Sequence, residues 1–432
     1  MKKYLGWMAW GATLVCQSVW AADFSFSGFG TVGYAQSDQP YNYQRFVNKT
    51  GTFKRDTVLL GQMDAQFNTQ WGATVQAKLS PSLSNDQSWQ ATLPWVFLSY
   101  RPSNDLLIRA GKLRVPLYMN SENMDVDAVY SAAQLPIEVY SLTPALNFTG
   151  ASFVKTWAVG EHELNLDGYW GTANTNWRFY QRDAATPIWY PMTADSKGLL
   201  LTLHRNEDTY RVGLHQAGLK MSDGQGVPQT LNPVPLNPAT TGLVGNASAQ
   251  VLSLTPLRYP APLRSLKMTM NMLNLGADIA WGDSFRTVGE FARTRSKGAE
   301  TDPDGDSLYL SLVKNVGAWT PYITYAQIRT RNTATYSAVN TARVAAVSPL
   351  VPPALVAGIN AGQRAIADVI AVYDQHSWII GTSYALNKNS KIKAEWIQVR
   401  TGVASSFVNA PIGGESGNQL INVYAVSYSF LF

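Results

Sequence analysis

The sequence predicts an all-β fold: an antiparallel β-barrel of about 16 strands that spans a membrane, with short turns on one side and long loops on the other. Three observations carry this. Both FSFSGFGTVGYAQ near the start and NVYAVSYSFLF at the end alternate large apolar with small or polar residues at period two, the signature of strands. The connections between such segments alternate short and long along the whole chain. Beyond the N-terminus no stretch supplies the roughly 18 apolar residues that a spanning helix needs.

The 432 residues are 46% hydrophobic, 12% aromatic and 15% charged, which excludes a disordered chain. Residues 1–21 are expected to be a signal peptide: Lys2 and Lys3 lead an apolar run to Val15, and Val19-Trp20-Ala21 suits cleavage after Ala21. Cys16 falls inside this segment behind Val15, too large for a lipoprotein site, so the mature chain 22–432 has no cysteine for disulfides, metal ligation or nucleophilic chemistry. Without Lys2 and Lys3 the net charge drops from +5 to +3, too small a balance for a nucleic-acid partner.

Period two places strands at about 24–36, 57–68, 71–80, 93–101, 106–112, 147–158, 162–172, 197–206, 209–219, 271–281, 284–297, 307–314, 318–330, 376–386, 391–401 and 419–432. Short turns such as 69–70, 102–105, 159–161, Glu207-Asp208 and Gly282-Asp283 alternate with long connections 37–56, 81–92, 113–146, 173–196, 220–270, 298–306, 331–375 and 402–418. A soluble sandwich has no reason to gather its long loops at one end. A membrane barrel has such a division, and it must close because lipid cannot hydrogen-bond a free sheet edge. The seven prolines within 220–262 predict an irregular loop. Leu355, Ile359, Ile366, Ile370 and Tyr373 share a helical face, which predicts a loop helix over 353–373.

Several motifs fail on context. GFGTVG at Gly28 to Gly33 matches a dinucleotide fingerprint but lies in a strand with no helix behind it. Ser152 and Lys155 fit S-x-x-K, yet on a strand they face opposite sides. H-E-x-x-H and G-x-S-x-G are absent, and His162, His204, His215 and His376 are scattered. No enzyme and no cofactor is expected. Asp302, Asp304 and Asp306 sit at alternate positions of an external loop and form a weak Ca²⁺ candidate against the alternative of a solvated acidic loop.

Strand parity assigns the charges. On 71–80, Trp71, Ala73, Val75, Ala77 and Leu79 face lipid, so Gln76 and Lys78 face inward; the same reasoning turns Arg109, Arg211, His215, Arg286, Glu290, Lys393, Glu395, Asp64 and Asp167 into the lumen. The candidate pore wall is Lys78, Arg109, Arg211, Arg286 and Lys393, and so polar an interior implies water. The connection 113–146 carries Glu122, Asp125, Asp127 and Glu138 against Arg114, with a short helix expected within Asp125 to Ala133. Folded inward, with its carboxylates facing basic wall residues, it would narrow the pore; the alternative leaves it outside with its acids solvated. In the terminal strand Tyr424, Val426, Tyr428, Phe430 and Phe432 share the lipid face.

The leader, the strand and loop rhythm, the long third external loop and the aromatic end at Phe432 together resemble a Gram-negative outer-membrane porin of the sixteen-stranded, usually trimeric type. Gly111 to Pro116 followed by Leu117-Tyr118 is similar to the strand-to-loop junction of phosphate-selective-type porins, whereas the P-E-F-G-G loop motif of enterobacterial general porins is absent. The resemblance implies passive diffusion of ions and small hydrophilic solutes, a homotrimer in outer-membrane lipid and lipopolysaccharide, and a third loop acting as constriction. It also implies that the barrel-assembly machinery reads Tyr428, Phe430 and Phe432 as an assembly signal. The rivals are an eighteen-stranded channel selective for an anion or a sugar, which a row of lumen aromatics would favour, and an outer-membrane enzyme or adhesin working through its long loops.

Overall fold

The structure is a computed structural model that describes residues 22–432 apart from 144, 225–226, 229, 235–249, 261–263, 266, 299 and 302. The expected signal peptide, 1–21, lies outside the described residues. Sixteen antiparallel strands form one closed barrel in chain order. They are β1 (Asp23–Ser37), β2 (Val58–Gln66), β3 (Trp71–Pro81), β4 (Trp89–Ser103), β5 (Leu106–Arg114), β6 (Asn147–Val159), β7 (His162–Gln181), β8 (Thr186–Arg205), β9 (Asp208–Met221), β10 (Met268–Trp281), β11 (Phe285–Lys297), β12 (Gly305–Lys314), β13 (Trp319–Thr330), β14 (Tyr373–Asn387), β15 (Ser390–Ser405) and β16 (Leu420–Leu431). The count of sixteen excludes the eighteen-stranded alternative.

Alternation becomes a two-faced wall. Along β16, Tyr424 and Val426 are each 56% exposed, while Ala425 and Ser427 between them are buried. Leu199, Leu214, Leu310, Trp378 and Ile380 continue the exposed apolar surface around the barrel. A band of this kind is stable only when hydrocarbon covers it. Among the described residues no helix is long and apolar enough to cross a membrane.

The seam joins β1 to β16. Gly28 and Phe432 exchange two backbone hydrogen bonds of 2.8 Å, and Gly30 lies opposite Phe430. The rings of Phe432 and Phe430 lie over these glycines, where a Cβ on Gly28 would meet the Phe432 ring at 2.1 Å. The small residues of the GFGTVG stretch thus make room for aromatic rings across the seam. Elsewhere Gly111, Gly150 and Gly171 fall in one register row across β5, β6 and β7. Gly111 has φ +137° and its missing Cβ would collide with the Val96 carbonyl at 2.3 Å, so the close approach of β4 and β5 requires glycine there.

Four connections differ from their sequence reading. Residues 173–196 are not a loop: β7 and β8 run on as a ladder past the apolar belt and turn only at 182–185. The connection 220–270, expected to be irregular, contains short ladders pairing Val227–Pro228 with Arg264–Ser265 and Leu231–Val234 with Leu257–Pro260; Val251–Ser253 pairs with Val344–Ala346. Proline is tolerated there because these are two-stranded, all-edge sheets. The expected helix over 353–373 is present but ends at Asp368, since Tyr373 already opens β14. The expected helix within Asp125 to Ala133 is only a 3₁₀ turn at Asp127–Val129, and α1 (Ile137–Tyr140) follows it. The external loops also hold α2 (Thr333–Asn340) and α3 (Pro353–Asp368).

Candidate pore and constriction

The connection leaving β5 runs inside the barrel and touches nearly every part of the wall. Its apolar edge sets that course. Leu117, Tyr118, Val139 and Tyr140 form one buried cluster with inward side chains of the wall, among them Phe148, Tyr169, Leu200, Met270 and Met272. Burying such side chains is worth about 1.5–3 kcal/mol each relative to exposure. The interior is therefore not uniformly polar, as parity alone suggested: β8 to β10 present an apolar inner face for the loop to pack on.

Polar wall residues then hold the loop backbone. Arg211 donates to the carbonyls of Pro116 at 2.9 Å and Tyr118 at 3.2 Å, and Asn274 donates to the Leu117 carbonyl. Glu290 accepts from the Met119 N–H at 2.8 Å, from the Tyr140 hydroxyl at 2.5 Å and from the Tyr309 hydroxyl at 3.0 Å. Three donors converging on one buried carboxylate satisfy it without a cation.

The acidic side of the loop meets basic wall residues one by one. Asp125 is shared by Lys78, at 3.2 Å, and Arg114. Asp127 pairs with Lys393 at 3.0 Å and accepts from the Ser429 hydroxyl at 2.5 Å. Glu122 faces Arg109 at 3.4 Å. Glu138 has no cation; it is buried and accepts from Gln375 at 2.8 Å and from Ser377. Of the five candidate wall residues, Lys78, Arg211 and Lys393 are therefore occupied in holding the loop. Arg109 and Arg286 keep about a third of their side chains exposed, at 29% and 32%, and Arg286 pairs with Asp278 at 2.9 Å.

The loop divides the interior. Towards the short turns lies a cavity of about 330 Å³ lined by Arg286, Asp278, Tyr309, Tyr322 and Glu395. On the side of the long loops lies another of about 240 Å³, bordered by Ser141 to Thr143 of the same loop.

Some participants escaped sequence reasoning. Arg55 pairs with Asp56 at 2.7 Å, both buried, with Glu395 3.9 Å away, and Glu395 accepts from Tyr322 at 2.6 Å. Arg55 and Asp56 lie in a connection with no periodicity to mark their direction. Asp304 and Asp306 do not sit as a free acidic loop: Asp304 pairs with Arg295 at 2.8 Å and Arg331 at 3.1 Å, and Asp306 with Arg293 at 2.6 Å and Arg331 at 3.0 Å. Asp302 lies outside the described residues. Guanidinium groups thus lie against both described carboxylates, and among the described residues no group of three or more metal-ligating side chains occurs.

A sixteen-strand barrel with its third external connection folded into the lumen can be set beside known proteins. No protein-family model matches the chain, and no curated protein matches it. Among solved structures it is similar to an anion-selective porin from Comamonas acidovorans, with 11% identity and a TM-score of 0.51 over 95% of this chain and 100% of that one. This chain has the porin fold. Two further similar structures are the outer-membrane channel DcaP of Acinetobacter baumannii, at 10% identity and TM-score 0.48 over 96% and 99% of the chains, and Salmonella typhi OmpF in complex with daunomycin, at 10% and 0.48 over 95% and 97%.

Proposed function

We propose that this protein is an outer-membrane porin, a water-filled channel for passive diffusion of ions and small hydrophilic solutes, with residues 113–146 as its constriction. The observation that carries the reading is the seat of that loop: its carboxylates pair with wall cations and its backbone hangs from Arg211, Asn274 and Glu290 across the lumen. An apolar outside and a charged inside are what a hydrocarbon-spanning conduit requires. We further infer a homotrimer in the Gram-negative outer membrane, among lipopolysaccharide, inserted by the barrel-assembly machinery through Tyr428, Phe430 and Phe432.

Single-channel recording of the refolded mature chain in planar bilayers tests this. Stepwise ohmic currents in KCl, grouped in threes for a trimer, are expected; a folded barrel that conducts nothing would overturn the reading and move attention to the external loops.

A further inference from the structure

The cavity of about 240 Å³ at the external mouth is built unlike the rest of the lumen. Four aromatic side chains, Trp177, Phe179, Tyr373 and Phe407, stand in its wall among polar ones. Trp177 and Phe179 on the β7 extension meet edge to face with centroids 6.4 Å apart, and Tyr373 lies tilted by 42° at 4.6 Å from Phe407 of the last external loop.

The charge around it is unbalanced. Arg45 and Arg178 share one carboxylate, Asp86, at 2.9 and 2.7 Å. Arg45 also donates to the carbonyls of Ser82 and Asn85 and Arg178 to Asn409, and Lys54 donates to the backbone carbonyls of Asp86 and Gln87. Three cations thus face one acid. Arg45 also lies over the rings of Phe46 and Trp189, at 4.6 and 4.9 Å, which fixes its plane among π surfaces. The backbone that delivers it is strained: Gln44 and Arg45 take φ +50° and +72°, a conformation costing of order 1–3 kcal/mol for a residue with a Cβ. Beside it the buried Gln44 Oε1 has no donor. Strain, an orphaned acceptor and surplus positive charge lie together at Gln44 and Arg45, on the border of this chamber.

We propose that this chamber binds a small aromatic carboxylate bearing a ring hydroxyl, the ring against Trp177 and Phe407, the carboxylate drawn to Arg45, and the hydroxyl donating to Gln44 Oε1. The proposal rests on the channel reading and names the solute class the mouth selects. An uncharged sugar would stack on the same rings but leave the surplus cations unmatched. The volume is below the roughly 300–1,000 Å³ of drug-sized sites, which favours a single ring.

The test uses the refolded mature chain with 4-hydroxybenzoate, benzoate and glucose as probes, reading current block in bilayers and heat of binding in micelles. Expected is half-block by 4-hydroxybenzoate at a concentration at least about ten-fold below that of glucose. Trp177→Leu and Arg45→Gln should each raise it about ten-fold, and Gln44→Met should erase its advantage over benzoate. Trp281→Phe, on the far rim of the outer wall, serves as the unaffected control, and heat-shifted migration on gels certifies that each variant is folded. Equal block by glucose, or folded variants that block like the parent, overturns the proposal. Conductance without block removes the site and keeps the channel, whereas binding heat without conductance keeps the site and removes the channel.

Discussion

Lys393 is fully buried, and its ammonium lies 3.0 Å from the carboxylate of Asp127, so strand β15 and the loop across the lumen are joined by a charge pair out of reach of solvent. The same ammonium donates to the carbonyls of Asp127 and Ala132 at 2.5 and 2.8 Å. All three protons of the ammonium thus have partners on the loop.

Lys393→Met should leave Asp127 buried without its cation and destabilise the barrel by about 3–5 kcal/mol, the range for breaking one half of a buried pair. Urea unfolding in micelles measures it. The double variant with Asp127→Asn should lose less than the sum of the two single changes, and strict additivity would show that the pair is not coupled.

Asp125 neutralises two wall cations at once. Changing Asp125 and Asp127 together to Asn should expose Lys78, Arg114 and Lys393 as net positive charge and move the reversal potential in a KCl gradient towards anions. An unchanged potential would take the loop out of the ion path.

Gly28→Leu should weaken the seam, because its Cβ would lie 2.1 Å from the Phe432 ring and force that ring aside. Deleting Phe432 removes the ring and both seam hydrogen bonds of 2.8 Å. Both variants should give less heat-modifiable, membrane-inserted barrel than the parent; normal amounts from either would show that the seam does not limit assembly.

At the outer surface, the turn joining β7 to β8 is tied to the loop helices. Arg182 pairs with Asp368 at 2.9 Å and Glu415 at 2.5 Å, and Arg364 with Asp183 at 2.6 Å. Burial lifts the Asp368 carboxyl to about 6 against the pull of Arg182, with Asp183 adding to the rise. The docked state therefore holds the proton more tightly than the free one. Docking should strengthen as pH falls from about 6 towards 4, and that gain should be lost as pH rises through 6. Amide exchange at 182–185, corrected for intrinsic rate, should be slower at pH 5 than at pH 7, and Asp368→Asn should flatten the difference.

The strands were legible because hydrocarbon demands apolar residues at every second position, and the terminal aromatics Tyr428 to Phe432 show that demand undiluted. Where the wall leaves the membrane the demand stops. Asn174, Asn176 and Arg178 continue β7 in full hydrogen-bonded register, alternating with Thr175, Trp177 and Phe179, but their polar side chains replace the apolar ones that hydrocarbon requires, and so the segment reads as a loop. Parity found Lys78, Lys393 and Glu290 on the inner face but could not distinguish a residue facing water from one clamped to a loop, since that depends on what packs opposite. The apolar side of the constriction was hidden in the same way: Tyr118 and Tyr140 are ordinary loop residues until Met270 and Met272 are placed beneath them.

The seam between Gly28 and Phe432 also sets a timetable. The two residues that complete the sheet belong to the first and the last strand of the barrel, so the final ladder cannot form before β16 is delivered. Up to that moment both terminal strands present unpaired donors and acceptors that could template the wrong partner. Closure entropy grows only logarithmically with the length of the intervening chain, so shortening the external loops should do little to hasten this step. Loss of the final strand should yield sheets with two open edges, prone to clump, rather than narrower barrels.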